Sequence, residues 1–198
     1  MRIIHYTLGI APMRSGGLTK YASDLMLEQS KRHNVTLLSA SGWSLFSKNI
    51  SFRRTSDWGN IRHYNINNSL PIPLLYGIKN PKDFYDGYSI TTRAMEYFYQ
   101  EVKPDVLHVH TLMGLPKELL EFLKIKGVKL VFSTHDYFGI CPQVNLVNHK
   151  GEICDGPNEE RCRICNDKSK HTLFLRFRNS RYILGLKNNK TLRKIIRR

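Results

Sequence analysis

Two short apolar stretches that end in histidine, VLHVH (residues 106–110) and LVFSTH (residues 130–135), decide the fold of this chain. Each is typical of a strand buried inside a sheet, because its apolar residues are hardly interrupted by polar ones. Buried parallel strands form open α/β sheets, which bind their ligands at the carboxyl ends of the strands. The histidines stand at those ends and therefore mark a candidate site.

Strands and helices alternate along the rest of the chain. Strands are predicted at residues 2–7, 35–39, 61–66, 106–110 and 129–133, and helices at residues 18–32, 81–102, 115–126 and 171–198. Such alternation favours a parallel sheet with right-handed crossovers. The predicted fold is α/β, a Rossmann-like parallel sheet flanked by helices.

Length and composition limit the class of protein. A chain of 198 residues with 41% hydrophobic residues can bury one sizeable core. No apolar run approaches the ~18 residues of a membrane span, and the amino terminus does not resemble a signal peptide. We therefore expect a cytoplasmic protein, whose cysteines are reduced or bind metal.

The net charge of +15 is concentrated near the carboxyl end. Residues 163–198 contain twelve Lys or Arg and a single acid, Asp167, whereas residues 1–162 carry a net charge of only +4. We expect a basic helical tail over residues 171–198. Such a tail binds nucleic acid or an anionic membrane surface, or is simply a solvated helix.

A glycine pair, Gly16 and Gly17, stands between the first strand and the first helix. Paired glycines allow a ligand to approach the backbone, and the free N–H groups of a helix amino terminus suit a phosphate. A tight turn explains the pair equally well. The dinucleotide-binding and P-loop patterns are both missing from the sequence.

Histidines provide the strongest site candidates. His108 and His110 are two residues apart and should point to the same face of their strand. His108 lies deeper and is expected to be a core histidine, whereas His110 ends the strand. His135 and Asp136 occupy the equivalent position on the neighbouring strand, where they would orient hydroxyls or transfer a proton.

All four cysteines lie within one loop, residues 136–165: Cys141, Cys154, Cys162 and Cys165. Four thiolates suit a structural zinc ion, and the last two cysteines have the C-x-x-C spacing of a zinc half-site. His149 or His171 would be able to replace one thiolate. The other spacings differ from a standard zinc ribbon, and reduced cysteines that pack a long loop are the alternative.

The glycine pair, the strand KPDVLHVH (residues 103–110) and the stretch THDYFGICP (residues 134–142) resemble the amino-terminal half of family 4 (group 1) glycosyltransferases of the GT-B fold. The cysteine-bearing continuation is similar to a bacterial subset that builds capsular, exo- or lipopolysaccharide. The resemblance runs through nearly the whole chain. It implies a retaining transfer of a sugar from a nucleotide donor to a glycan or lipid-linked glycan acceptor, with no cofactor for catalysis.

The resemblance also implies roles for individual residues. Gly16 and Gly17 would line the donor phosphate side of a cleft between two Rossmann-like domains. His110 would contact the donor sugar near the reacting carbon and would be the catalytic residue. His135 and Asp136 would line the acceptor side.

The family's nucleotide-sugar domain has no counterpart in the sequence. We therefore expect residues 1–170 to form the acceptor-side domain and the chain alone to be inactive in transfer, because positioning a sugar needs both halves of the cleft. The end of the tail, residues 187–198, would bind an anionic membrane surface and hold the protein on the inner membrane face.

An alternative follows from the cysteines and the tail. The chain would then be a metal-binding module with a basic nucleic-acid or membrane-binding tail, and not an enzyme. The strand and helix pattern argues against this alternative, since a zinc module does not need a sheet-building domain. We expect no nucleic-acid partner.

Overall fold

The computed structural model describes residues 1–41, 47–80, 82, 86–180 and 183. Its strands are β1 (Arg2–Thr7), β2 (Asn34–Ser41), β3 (Asn49–Arg54), β4 (Arg62–Asn67), β5 (Ser89–Ile90), β6 (Val106–Val109) and β7 (Lys129–Phe132). Its helices are α1 (Gly17–Gln29), α2 (Thr92–Val102), α3 (Lys117–Ile125), α4 (Glu159–Asn166) and α5 (Thr172–Arg178), with a 3-10 turn at Leu74–Tyr76.

The seven strands form a single sheet in the order β5-β3-β4-β2-β1-β6-β7. All neighbours pair in parallel except β3 and β4, which are antiparallel. The Rossmann-like α/β prediction is confirmed, with this one departure from a purely parallel sheet. The chain builds outward from β1 through β2 and β4, and then returns to place β6 on the other side of β1. Such a switch point between β1 and β6 is where open α/β sheets form a ligand crevice.

Different helices cover the two faces of the sheet. One face carries the main core, which includes Ile4, Tyr6, Phe98, Leu107, Leu119 and Leu123. On the other face, Ala22 and Met26 of α1 pack against Val35, Leu37 and Ile61. Strand alternation places Ile4 and Tyr6 on the main core face, so His5 between them points toward α1.

The second predicted helix is shorter than expected. The pattern predicted a helix over residues 81–102, of which residues 81 and 83–85 lie outside the described residues, and α2 begins at Thr92. Thr91 ends the extended segment before it, and its hydroxyl accepts a hydrogen bond from the backbone N–H of Ala94 at 3.2 Å. This N-cap fixes the start of the helix, so the residues before it are free to form β5 beside β3.

The start of the predicted carboxyl-terminal helix packs on the domain. Leu175 of α5 is buried, and the Asn179 amide that follows the helix donates to the carbonyls of Ile72 and Leu175. Arg14, from the loop after β1, donates to Asn179 Oδ1 at 2.7 Å. Residues 181, 182 and 184–198 of the predicted helix lie outside the described residues, and they include residues 187–198, where membrane binding is predicted. None of the helices that the structure describes is long and apolar enough to cross a membrane.

Candidate functional site

Three imidazoles contact one another at the switch point, and we call them the histidine cluster: His5, His108 and His110. His5 on β1 and His108 on β6 are opposite each other in the parallel register, with ring centroids 5.1 Å apart. The rings of His108 and His110 lie 4.2 Å apart, as expected for side chains on one face of a strand. The cluster thus joins the two strands where a ligand crevice is expected.

Hydrogen bonds link the histidine cluster to α1. His5 Nε2 lies 2.8 Å from Gln29 Oε1, and His5 Nδ1 lies 2.9 Å from His110 Nε2. His108 Nε2 lies 2.8 Å from the hydroxyl of Ser133, just after β7. His110 Nδ1 is buried and has no hydrogen-bond partner among the described residues. A buried polar atom without a partner costs about 1–3 kcal/mol, and among the atoms of this kind in the described residues His110 Nδ1 is the one within the histidine cluster, which makes it a functional candidate.

Two exposed rings cover His110. Tyr21 of α1 and His135 of the loop after β7 have ring centroids 5.8 and 5.7 Å from that of His110, and 4.9 Å from each other. His110 itself is 0% exposed, whereas Tyr21 is 47% exposed. The structure therefore brings the predicted residues His110 and His135 together, but it places His110 beneath the surface and His135 on it.

Burial keeps the histidine cluster neutral at physiological pH. Burial, together with repulsion from His108, His5 and His135, lowers the pKa of His110 to about 3. Burial lowers the pKa of His5 to about 4, although its hydrogen bond with Gln29 opposes the shift. Burial also lowers the pKa of His108, with a smaller effect from His135. Neutral imidazoles at this position orient hydroxyl groups rather than neutralise charge.

Asp136 and the glycine pair have different local roles. Asp136 is half-buried, and its Oδ1 accepts a hydrogen bond from the backbone N–H of Phe138, which orders the turn into the cysteine loop. Gly16 is the N-cap of α1 with φ 127°, a conformation that favours glycine. A Cβ added at Gly16 or Gly17 would meet nothing within 4 Å. The helix start therefore has open space beside it, and the role of the glycine pair on the donor phosphate side stays a prediction.

The cysteine loop holds four half-buried free thiols. Cys165 Sγ lies 3.8 Å from His149 Nδ1, Cys154 Sγ donates to the Gly156 carbonyl, and Cys162 Sγ accepts from the Asn158 N–H. Two of the cysteines, Cys162 and Cys165, lie one turn apart on α4. The predicted zinc site at the cysteines stays a prediction.

In the described part of the chain, the histidine cluster is the one group of three metal-ligating side chains with ligand atoms within 4.8 Å of one another. Neutral imidazoles are good ligands for zinc and copper. However, both ring nitrogens of His5 already take part in hydrogen bonds, one with Gln29 and one with His110. A metal ion would have to replace one of these bonds, so the structure favours the hydrogen-bonded arrangement.

Sequence reasoning missed His5, Tyr21 and Gln29. His5 lies within the first predicted strand, and a histidine in an otherwise apolar strand, RIIHYT, was the available signal. Only the pairing of β1 with β6 shows that His5 faces His108. The positions of Tyr21 and Gln29 depend on how α1 packs across β1, which sequence periodicity does not define.

A family model, Glycosyltransferase Family 4, matches residues 15–198. No curated protein and no solved structure matches the chain. The family match and the mostly parallel sheet are consistent with one Rossmann-like half of a GT-B fold, and they give no support to the alternative of a metal-binding module. Because the match covers nearly the whole sequence, the chain belongs to glycosyltransferase family 4.

Proposed function

We propose that this chain forms the acceptor-side half of a retaining glycosyltransferase that moves a sugar from a nucleotide donor to a glycan or lipid-linked glycan acceptor. Membership of the family supports a glycosyltransferase with a nucleotide-sugar donor and a glycan acceptor in general. The observation that carries the finer proposal is the unpartnered Nδ1 of His110 at the switch point between β1 and β6. A bare imidazole nitrogen is a suitable acceptor for a sugar hydroxyl.

In the proposed reaction, the bond between the anomeric carbon and the nucleotide phosphate oxygen breaks, and a bond to the acceptor oxygen forms on the same face. The acceptor's proton passes to the departing phosphate oxygen, so atoms and charge balance. Because His110 is 0% exposed, the Tyr21 ring would have to move aside for His110 Nδ1 to hold a hydroxyl of the transferred sugar. His135 would contact the acceptor at the surface. The open start of α1 at Gly16 and Gly17 would face the donor phosphates, which helix N–H groups bind well.

A transfer assay tests this proposal on the protein expressed from its complete natural reading frame. Nucleotide sugars are offered with a polyprenyl-phosphate-linked glycan, and NMR determines the anomeric configuration of the product. We expect retention and a rate lowered about tenfold or more in His110→Asn and His135→Ala, since each would lose a contact to a reacting sugar. His33→Ala, just before the amino end of β2 and so at the opposite edge of the sheet from the site, is the matched control. An inverted product, or wild-type rates in both site variants, would contradict the proposal.

We also propose that the basic tail holds the enzyme on the cytoplasmic face of a membrane, where it would build a bacterial surface polysaccharide. The charge of residues 163–198 supports this, because clustered Lys and Arg are attracted to anionic lipids. Co-sedimentation with vesicles containing phosphatidylglycerol is compared for chains with and without residues 187–198. Equal binding of the two chains would remove the membrane role of the tail.

A further inference from the structure

Gln29, His5 and His110 form a chain of hydrogen bonds that runs from the end of α1 to the covered imidazole. Its two links are 2.8 Å, between Gln29 Oε1 and His5 Nε2, and 2.9 Å, between His5 Nδ1 and His110 Nε2. His5 and His110 are both 0% exposed, so water does not compete for the link between them, whereas Gln29 is half-buried. The chain ends at His110 Nδ1, which is buried with no partner among the residues that the structure describes.

The chemistry of the first link sets the direction of the second. An amide oxygen only accepts hydrogen bonds, so His5 must carry its proton on Nε2. A neutral imidazole has one N–H, and His5 Nδ1 is therefore an acceptor. His110 must then donate from Nε2, and its own single proton is used there. His110 Nδ1 is left with a free lone pair.

We propose that Gln29 and His5 are positioning residues that fix the tautomer of His110, so that its Nδ1 is a permanent hydrogen-bond acceptor. The consequence for sugar binding rests on the proposed function of His110. Such an atom accepts a hydrogen bond from a ligand hydroxyl, and it repels a ligand group that can only accept hydrogen bonds. The tautomer itself depends only on the two hydrogen bonds and is measurable without any substrate.

The direct measurement is the tautomer of His110, read from the nitrogen chemical shifts of its imidazole in long-range proton–nitrogen NMR spectra near neutral pH. In the wild-type protein we expect a protonated Nε2 and a bare Nδ1. Gln29→Met keeps the length of the side chain but removes the acceptor, so the His110 tautomers should become mixed. Gln29→Glu restores an oxygen acceptor and should restore the single tautomer.

Gln100→Met is the matched control. The Gln100 amide donates a hydrogen bond to Glu96 on the exposed side of α2, and Gln100 lies outside the histidine cluster. It should leave the His110 spectrum unchanged. A His110 with a protonated Nδ1 in the wild type, or a Gln29→Met spectrum identical to the wild type, would overturn the proposal. Dispersed backbone spectra of Gln29→Met confirm that the variant is folded.

Transfer assays separate this proposal from the proposed function. One outcome is a mixed His110 tautomer in Gln29→Met together with a transfer rate that falls about tenfold, the effect of one lost hydrogen bond to the reacting sugar. That result supports both the positioning of His110 and its contact with the sugar. If the tautomer is mixed and the rate is unchanged, the positioning of His110 stands and its contact with the sugar fails. If the tautomer is unchanged, the positioning fails whatever the rate.

Discussion

His5 and His108 are register partners on the adjacent parallel strands β1 and β6, and their ring centroids lie 5.1 Å apart. His110 is the third ring of the group, and it contacts both. Three imidazoles this close, two of them fully buried, resist protonation, because each positive charge would be desolvated and would repel the next. The fold therefore depends on these rings being neutral.

Acid should destabilise the protein through His5 and His110. Their pKa values of about 4 and about 3 lie below the usual 6.5, so the unfolded chain binds their protons first as pH falls. Their stabilising contribution is complete above pH 6.5 and is lost progressively below it, down through about pH 4 and pH 3. Each group should remove about 1.4 kcal/mol of unfolding free energy per pH unit in this range.

Urea unfolding between about pH 5 and pH 7 measures this slope. The double variant His5→Gln, His110→Gln should have a shallower dependence on pH, because two of the shifted groups are gone. His33→Gln changes a histidine just before β2, outside the histidine cluster and the cysteine loop, and is the matched control. Stability of the wild type that does not change over this range would contradict the prediction.

Tyr21 should control access to His110. Its ring lies over His110 while being 47% exposed itself, so Tyr21→Ala would open the imidazole to water. Since burial is the main cause of the lowered pKa of His110, we expect that pKa to rise toward 6.5 in the variant. Tyr21→Phe keeps the ring and should keep the low pKa.

NMR titration of the His110 imidazole measures the change, and the rate of its carbethoxylation by diethyl pyrocarbonate gives an independent readout. Faster modification is expected in Tyr21→Ala alone. If His110 titrates at the same pH in Tyr21→Ala and Tyr21→Phe, the tyrosine is not the cover.

The sequence was informative for features that a single strand or helix determines by itself. The spacing of His108 and His110 on one strand predicted that they share a face, and the structure confirms it. Periodicity also predicted most strands and helices, because each is set by local alternation of apolar residues. Burial of His110 was not predictable, because it depends on how α1, which carries the neighbouring Tyr21 ring, packs across the sheet.

Strand β3 shows that parts of the fold, too, could not be predicted from the sequence. Only Ile50 of its six residues is fully buried, so its apolar pattern is too weak to predict a strand. Pairing with β4 on one side and β5 on the other stabilises it. Its antiparallel direction is a tertiary property, because nothing in the sequence of a single strand specifies which neighbour it meets.

We predict that the cysteine loop binds one structural zinc ion per chain, which would require its ligand atoms to move together, since no three of them lie within 4.8 Å of one another among the described residues. Cys162 and Cys165 lie one helical turn apart on α4, and His149 Nδ1 is 3.8 Å from Cys165 Sγ, so thiolate and imidazole ligands are near each other. Metal analysis of protein purified without added zinc should give about one equivalent, falling in Cys165→Ser. His5→Gln is the control, because it removes an imidazole of the histidine cluster, which is not part of the predicted zinc site, and should leave the zinc content unchanged. Less than about half an equivalent in the wild type would contradict a structural zinc.

Alanine substitutions at Gly114 and Gly127 separate two contributions to stability, the cost of backbone strain and the cost of overpacking. Both have φ 78°, so alanine at either position should cost about 1–2 kcal/mol for the left-handed conformation alone. At Gly114 an added Cβ would also lie 2.9 Å from the hydroxyl of Tyr6, whereas at Gly127 it would meet nothing within 4 Å. That hydroxyl donates to the Met113 carbonyl at 2.6 Å in the core and has little freedom to move.

Gly114→Ala should therefore be less stable than Gly127→Ala by about 1–3 kcal/mol, the usual cost of overpacking. Thermal and urea unfolding of the two variants measure the difference. Equal losses would mean that the loop after β6 relaxes freely, and that Tyr6 does not hold it in place.

Leu173 and Leu175 on α5 test whether this helix belongs to the folded domain. Leu175 is 1% exposed and Leu173 is 69% exposed, although both occupy the same short helix. Leu175→Ala should reduce the free energy of unfolding by about 2–5 kcal/mol, because it leaves a cavity under the helix. Leu173→Ala should change it by no more than about 0.5 kcal/mol. If the two variants are equally stable, α5 does not contribute to the core, and its contact with Arg14 through Asn179 does not hold the loop after β1 in solution.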